Sequence, residues 1–170
     1  MRKILLAAVF GLFASISSAW ADTPIVRWDR IEGFGAVDTT QIHVGPIWAS
    51  RGRTVGAGRV MVNLNTGFLS FTIEGMSNAN QYDNGPLGQS GTGMVMGTVV
   101  CDSTERFGPF ASVDSKAIQM SQGRATYQGF VLLPEGCKQR PAEMVFLIRH
   151  AGPGSLYGGI VAFGAGRQIP

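Results

Sequence analysis

The chain is poor in the residues from which active sites are usually built. Of its 170 residues only 2 are histidine and 2 are cysteine, and the four charged types make up 15%. His43 and His150 stand alone, with no His-x-His or His-x-x-x-His pair. A zinc site would therefore have to join lone histidines to scattered carboxylates, so no metal and no cofactor is expected. No lysine follows a Gly-rich loop, which excludes a P-loop. Basic residues do not gather on one face. The only local group is Arg51, Arg53 and Arg59, interleaved with Gly and Ser, which reads as a solvated loop and strand edge or as a weak contact for an anion or polysaccharide. A nucleic-acid partner is not expected on that pattern. Helical periodicity is almost absent after Ala21, so no segment can serve as a βαβ crossover helix.

What is present begins with a leader. Arg2 and Lys3 precede a mostly apolar run at 4–16, and Ala19-Trp20-Ala21 places small residues at the −3 and −1 positions of a cleavage site. The run is shorter than the roughly 20 apolar residues that cross a bilayer as a helix. Residues 1–21 are therefore expected to be a cleaved secretory signal, and 22–170 one exported domain, periplasmic or extracellular. No cysteine follows the cleavage site, which argues against a lipid anchor. The leader holds Arg2 and Lys3 and no acid, so 12 basic and 11 acidic residues remain, a net charge of +1. The basic pI near 9.2 is thus partly a property of the leader.

Glycine is the abundant component, at 24 residues, without a strict three-residue period. The glycines punctuate apolar runs, as in many short strands joined by tight turns and bulges. Period-2 alternation is frequent and argues for half-buried strands. The clearest case puts Val60, Val62 and Leu64 on one face, turns at Asn65-Thr66-Gly67, and continues with Leu69, Phe71 and Ile73 on one face. This is a β-hairpin with Gly67 at a left-handed turn position. Shorter strands are expected at 26–31 and 41–49, the second interrupted by Pro46. Residues 78–93 form a long polar loop, of the kind that is either functional or mobile. Residues 94–101 are apolar on both faces, as in a doubly buried strand. Strands at 115–120, 125–133, 144–149 and 157–163 complete the set, with turns at 121–123 and a loop at 134–141. Eight or nine strands at this spacing predict an all-β fold, either an antiparallel β-sandwich or a small closed barrel.

Cys101 ends a strand and Cys137 lies in a loop. In an exported chain two cysteines usually pair. Closing that loop of about 35 residues contributes about 3–4 kcal/mol in the chain-entropy account.

No catalytic constellation emerges. Gly88-Gln89-Ser90-Gly91-Thr92 approximates a nucleophile elbow but has Thr at its last position and lacks the flanking strand and helix. Glu74, Asp83, Asp102, Glu105, Glu135 and Glu143 could in principle supply the carboxylate pair of a glycosidase, yet the sequence brings no two of them together. Trp28, Trp48 and Tyr82, with Arg51 and Arg53, are the candidates for a binding surface, although a tryptophan among strands more often belongs to the core. The methionines are scattered and read as core filler.

The second half carries a recognisable pattern. Gly97-Thr98-Val99-Val100-Cys101-Asp102 is followed by Val131-Leu132-Leu133-Pro134-Glu135-Gly136-Cys137, Pro141, a strand at Val145-Phe146-Leu147-Ile148-Arg149, and Ile160-Val161-Ala162-Phe163-Gly164. This resembles a group of uncharacterised secreted bacterial two-cysteine β-proteins, over about half of the mature chain. The resemblance implies the disulfide and the β fold and supplies no catalytic residue. The expected function is that of a non-catalytic exported β-domain, binding or structural, whose partner is a protein or glycan of the envelope. The alternatives are an exported hydrolase using dispersed acids or Ser90, and a small outer-membrane barrel. The strands are short for the barrel, so no stable membrane insertion is expected.

Overall fold

In the computed structural model, residues 24–34, 42–49, 53–78, 93–102, 110–151 and 158–168 are described. The first strands are β1 (Ile25–Gly33), β2 (His43–Val44), β3 (Ile47–Trp48), β4 (Arg53–Thr54), β5 (Ala57–Asn63), β6 (Phe68–Glu74) and β7 (Ser77–Asn78). They are followed by β8 (Gly93–Val100), β9 (Ser112–Asp114), β10 (Ile118–Met120) and β11 (Ala125–Phe130). A short helix α1 (Glu135–Gln139) and a 3-10 turn (Pro141–Glu143) lead to β12 (Val145–His150) and β13 (Ile160–Gln168). Eight strands make one antiparallel sheet in the order β10-β8-β12-β13-β1-β5-β6-β11, with β9 beside β8. The sheet curls into a half-barrel.

Turn chemistry brings the two edges of that sheet together. β10 and β11 are consecutive in the chain and joined at Gln122-Gly123. Both turn residues have positive φ, 49° and 71°, the signature of the type I′ turn whose twist matches flanking strands. Ser121 and Arg124 exchange backbone hydrogen bonds of 3.0 and 2.9 Å. Beyond this pair the ladder does not continue, so the barrel wall stays open along β10 and β11. The β5–β6 hairpin forms as its alternation predicts. Gly67 has φ 72°, and Asn63 Oδ1 accepts from the backbone N–H groups of Asn65 and Thr66, both at 3.0 Å. That side chain satisfies donors the turn would otherwise leave unpaired.

The inward side chains form the core. Val26, Val62, Leu69, Phe71, Ile73, Val95, Val99, Phe146 and Ile148 are all buried. At its centre lies a chain of rings. Phe146 stands 5.9 Å from Trp28 and 5.5 Å from Phe71, and Phe71 stands 5.5 Å from Tyr127. Gly97 makes this possible: a Cβ there would lie 2.6 Å from the Phe71 ring and 2.8 Å from that of Phe146. The outer face of β1, β5, β6 and β11 is mostly polar, with Phe68 and the exposed Phe130 paired ring to ring at one end of it. An apolar interior is the reverse of the polar lumen of a lipid-spanning barrel. Among the described residues, no helix is long and apolar enough to cross a membrane.

A second, smaller core lies outside the sheet. Val100, Leu147 and Ile160 point outward from β8, β12 and β13 and pack with Ile47 of β3. This explains why residues 94–101 are apolar on both faces. The segment expected as one strand at 41–49 is a hairpin, because left-handed Gly45 and Pro46 turn the chain between β2 and β3. The expected strand at 115–120 is likewise broken. Ser115 N–H still donates to the Gly97 carbonyl (2.8 Å), but Ser115 Oγ takes the place of a backbone carbonyl, accepting from Gly97 N–H (2.9 Å) and donating to the Lys116 carbonyl (3.0 Å). β13 runs beyond residue 163 to Gln168 because its glycine-rich end pairs with β1, as in Arg27 opposite Gln168 and Ile31 opposite Gly164.

One end of the half-barrel is capped by residues 131–144. β11 ends at Phe130, and the segment expected as a loop at 134–141 contains α1. Leu133, Cys137 and Met144 are buried in the core. Cys137 is bonded to Cys101 at the end of β8. Arg167 Nη1 donates to the Met144 carbonyl at 2.7 Å, so the cap is tied at both sides.

Two outcomes follow. Gly97→Val should lower stability by about 1–3 kcal/mol through overpacking, while exposed Thr126→Ala should stay within about 0.5 kcal/mol. Urea unfolding measures both, and an unchanged midpoint for Gly97→Val contradicts the ring packing. Denatured, unreduced protein should titrate no free thiol. The double variant Cys101→Ala/Cys137→Ala should lose about 3–4 kcal/mol.

Candidate functional site

The outer face of the sheet over β1, β5, β6 and β11 is mostly polar. It holds a cleft of about 400 Å³. Strand register arranges its walls in rows. One row runs Gln168, Arg27, Met61, Ser70 and Gln128 across five strands. The next runs Arg59, Thr72 and Thr126. The alternation that sends Val26 and Trp28 inward sends Arg27 and Asp29 outward.

Arg27 and Arg59 are diagonal neighbours on this face, since Arg27 pairs with Met61 and Arg59 lies two residues earlier on β5. Diagonal positions stand about 7–8 Å apart. Among the described residues neither arginine takes part in an ion pair. Arg30, Arg140 and Arg149 do, with Glu32, with Asp102 and Glu143, and with Asp114 respectively. Asp29 Oδ2 accepts from Gln168 Nε2 at 2.7 Å, which fixes the carboxylate at the cleft wall. Ser70 and Thr72 add hydroxyls, and Gln128 adds an amide. The cleft therefore offers two guanidinium forks, one held carboxylate and short neutral polar groups on a rigid floor.

The residues singled out from sequence do not assemble into one site. Trp28 is a correction to the surface reading: its ring is 2% exposed and packs on Phe146, so only its strand borders the cleft. Trp48 is 54% exposed and stands against His43, ring centroids 4.7 Å apart, on the opposite flank of the sheet. Arg53 is half-buried at the start of β4, where its carbonyl would lie 2.0 Å from a Cβ on Gly33. Tyr82, Arg51 and Ser90 lie outside the described residues, as do the leader and most of the 78–93 loop. Sequence reading missed Arg27, Asp29, Ser70, Thr72 and Gln128. The available signal was the outward half of each alternating strand, but only the register shows that these halves align.

Two further polar clusters are built into the scaffold. Thr98 Oγ1 donates to Asp114 Oδ1 at 2.6 Å, and Arg149 Nη1 donates to the same oxygen at 3.1 Å. Arg149 Nε also donates to the Gly158 carbonyl. This latch joins β8, β9 and β12 to the start of β13. Beside the disulfide, buried Asp102 lies 3.6 Å from Arg140, which lies 3.5 Å from Glu143. Among the described residues, no group of three His, Cys, Asp or Glu side chains could hold a metal ion.

No family model, curated protein or solved structure matches this chain.

Asp114→Ala should cost about 1–3 kcal/mol, because the partly buried Arg149 guanidinium loses its carboxylate partner. Thermal or urea unfolding checks this. A second removal, Arg149→Met in the Asp114→Ala background, should recover part of the loss.

Proposed function

We propose that the mature chain is an exported, non-catalytic β-domain that binds a partner in the cell envelope or outside the cell, and that the cleft on β1, β5, β6 and β11 is its binding surface. The observation that carries this reading is the cleft itself, which gathers polar groups from four strands and in which, among the described residues, two arginines have no ion-pair partner. Convergent polar groups in a concavity are the usual mark of a ligand site. The groups stand on strands whose opposite faces are locked in the core, so a ligand has side chains but no backbone to order. Export is supported by the leader, and by the Cys101–Cys137 disulfide, which persists in oxidising compartments. The apolar-in, polar-out sheet favours a domain with water around it over a lipid-embedded barrel.

The test immobilises the mature chain, residues 22–170, and passes envelope and extracellular fractions over it. A retained component should be lost at least tenfold with the double variant Arg27→Ala/Arg59→Ala, whose urea midpoint should match the parent. Equal retention by parent and double variant excludes the cleft as the binding surface.

A further inference from the structure

We infer that the ligand class of this cleft is an acidic oligosaccharide, its carboxylates held by Arg27 and Arg59 and its hydroxyls by Asp29, Ser70, Thr72 and Gln128. The inference rests on the cleft being the binding surface and adds the chemistry of what enters it.

The charge pattern selects the class. A guanidinium fork matches a carboxylate in a bidentate pair. Two forks on diagonal positions of one sheet face suit a chain that presents anionic groups in succession. Both side chains are exposed and, among the described residues, neither is spent on an internal ion pair. A ligand that carried only anions would meet a penalty at Asp29. This carboxylate is fixed at the wall by Gln168, and it would repel a polyphosphate or a nucleic-acid backbone. An acidic sugar carries both functions at once. Its carboxylate pairs with arginine, while its hydroxyls donate to Asp29 and exchange hydrogen bonds with the Ser70 and Thr72 hydroxyls.

The floor agrees with that assignment. Met61 lies between Arg27 and Ser70 in one row. Its thioether gives an apolar, polarisable patch against which the C–H face of a sugar ring can rest. Gln128 closes the row with an amide that both donates and accepts. The rows run across strands, so an extended oligosaccharide would lie across β1, β5 and β6, perpendicular to their direction.

Calorimetric titration of the mature chain with a defined oligouronate, a neutral oligosaccharide of equal length and an inorganic polyphosphate tests the assignment. The oligouronate should bind tightest. Arg27→Gln and Arg59→Gln should each weaken it about tenfold, and Asp29→Asn should weaken the oligouronate while strengthening the polyphosphate. Neutral and acidic sugars bound equally, both weakened by Gln128→Ala, would overturn the acidic class and leave the cleft as the binding surface. Polyphosphate bound tighter than oligouronate would overturn the sugar. Failure of all three probes would also overturn the class, while retention of an envelope component by the parent and not by Arg27→Ala/Arg59→Ala would still uphold the cleft. Oligouronate binding unchanged in both arginine variants would overturn class and cleft together.

Discussion

The packing of Trp28, Phe146, Phe71 and Tyr127 is the constraint on which the rest of the structure depends. These rings come from β1, β12, β6 and β11, which are spread over the whole width of the sheet. Phe71 and Tyr127 face each other on neighbouring strands, but Phe146 reaches Trp28 at 5.9 Å and Phe71 at 5.5 Å only if the sheet curls enough to bring its far strands together. Each such pair is worth about 0.5–1.5 kcal/mol beyond its area, and the two that Phe146 makes hold the curl. Space for them is made at glycine. Gly97 admits the Phe71 and Phe146 rings, and a Cβ on Gly164 would stand 2.7 Å from the Trp28 ring. The high glycine content therefore has a packing cause as well as a turn cause.

Curling a sheet leaves an open end and two edges, and the remaining elements deal with both. The segment from Val131 to Met144 closes one end, where the disulfide ties it to β8. The edges meet through the Gln122-Gly123 turn. Gln119 Nε2 donates to the Met120 carbonyl at 3.0 Å, satisfying an acceptor at the incomplete seam. On the outside, β2 and β3 cover the apolar outer face of β8, β12 and β13. Without that cover Val100, Leu147 and Ile160 would face water. The outer surface is thus divided, with one half covered by protein and the other half bare and mostly polar.

The local features of this fold were legible in the sequence because they are set by neighbours a few residues apart. The β5–β6 hairpin, the left-handed Gly67, the turn at Gln122-Gly123 and the doubly buried β8 all follow from short-range pattern. The pairing of Cys101 with Cys137 followed from there being only two cysteines. The failures have a common physical origin. Helix α1 is five residues long, too short for a 3.6-residue period to register, and it is held by burial of Cys137. β13 continues through Gly164, Ala165 and Gly166, which have little strand propensity, because β1 supplies the hydrogen bonds. Trp28 was open to both readings, since a strand shows which residues share a face but not which face meets the core. The cleft was hidden for a stronger reason. Arg27, Arg59, Ser70 and Gln128 are far apart in sequence, and only the register of four strands makes them a surface.

That register also links the cleft to the core. Strand alternation allows no independent choice of faces: every residue between two inward side chains points outward. Trp28 lies between Arg27 and Asp29, and Phe71 between Ser70 and Thr72. The rings that fix the curl inside therefore also fix the spacing of the polar groups outside. A one-residue slip of β1 would bury two charges and expose Trp28, a cost far above the few kcal/mol that separate folded from unfolded states. The outer groups are consequently held by the same free energy that holds the core. A cleft built this way needs no movable loop to form, and the strand positions that carry its recognition groups are set before any ligand arrives.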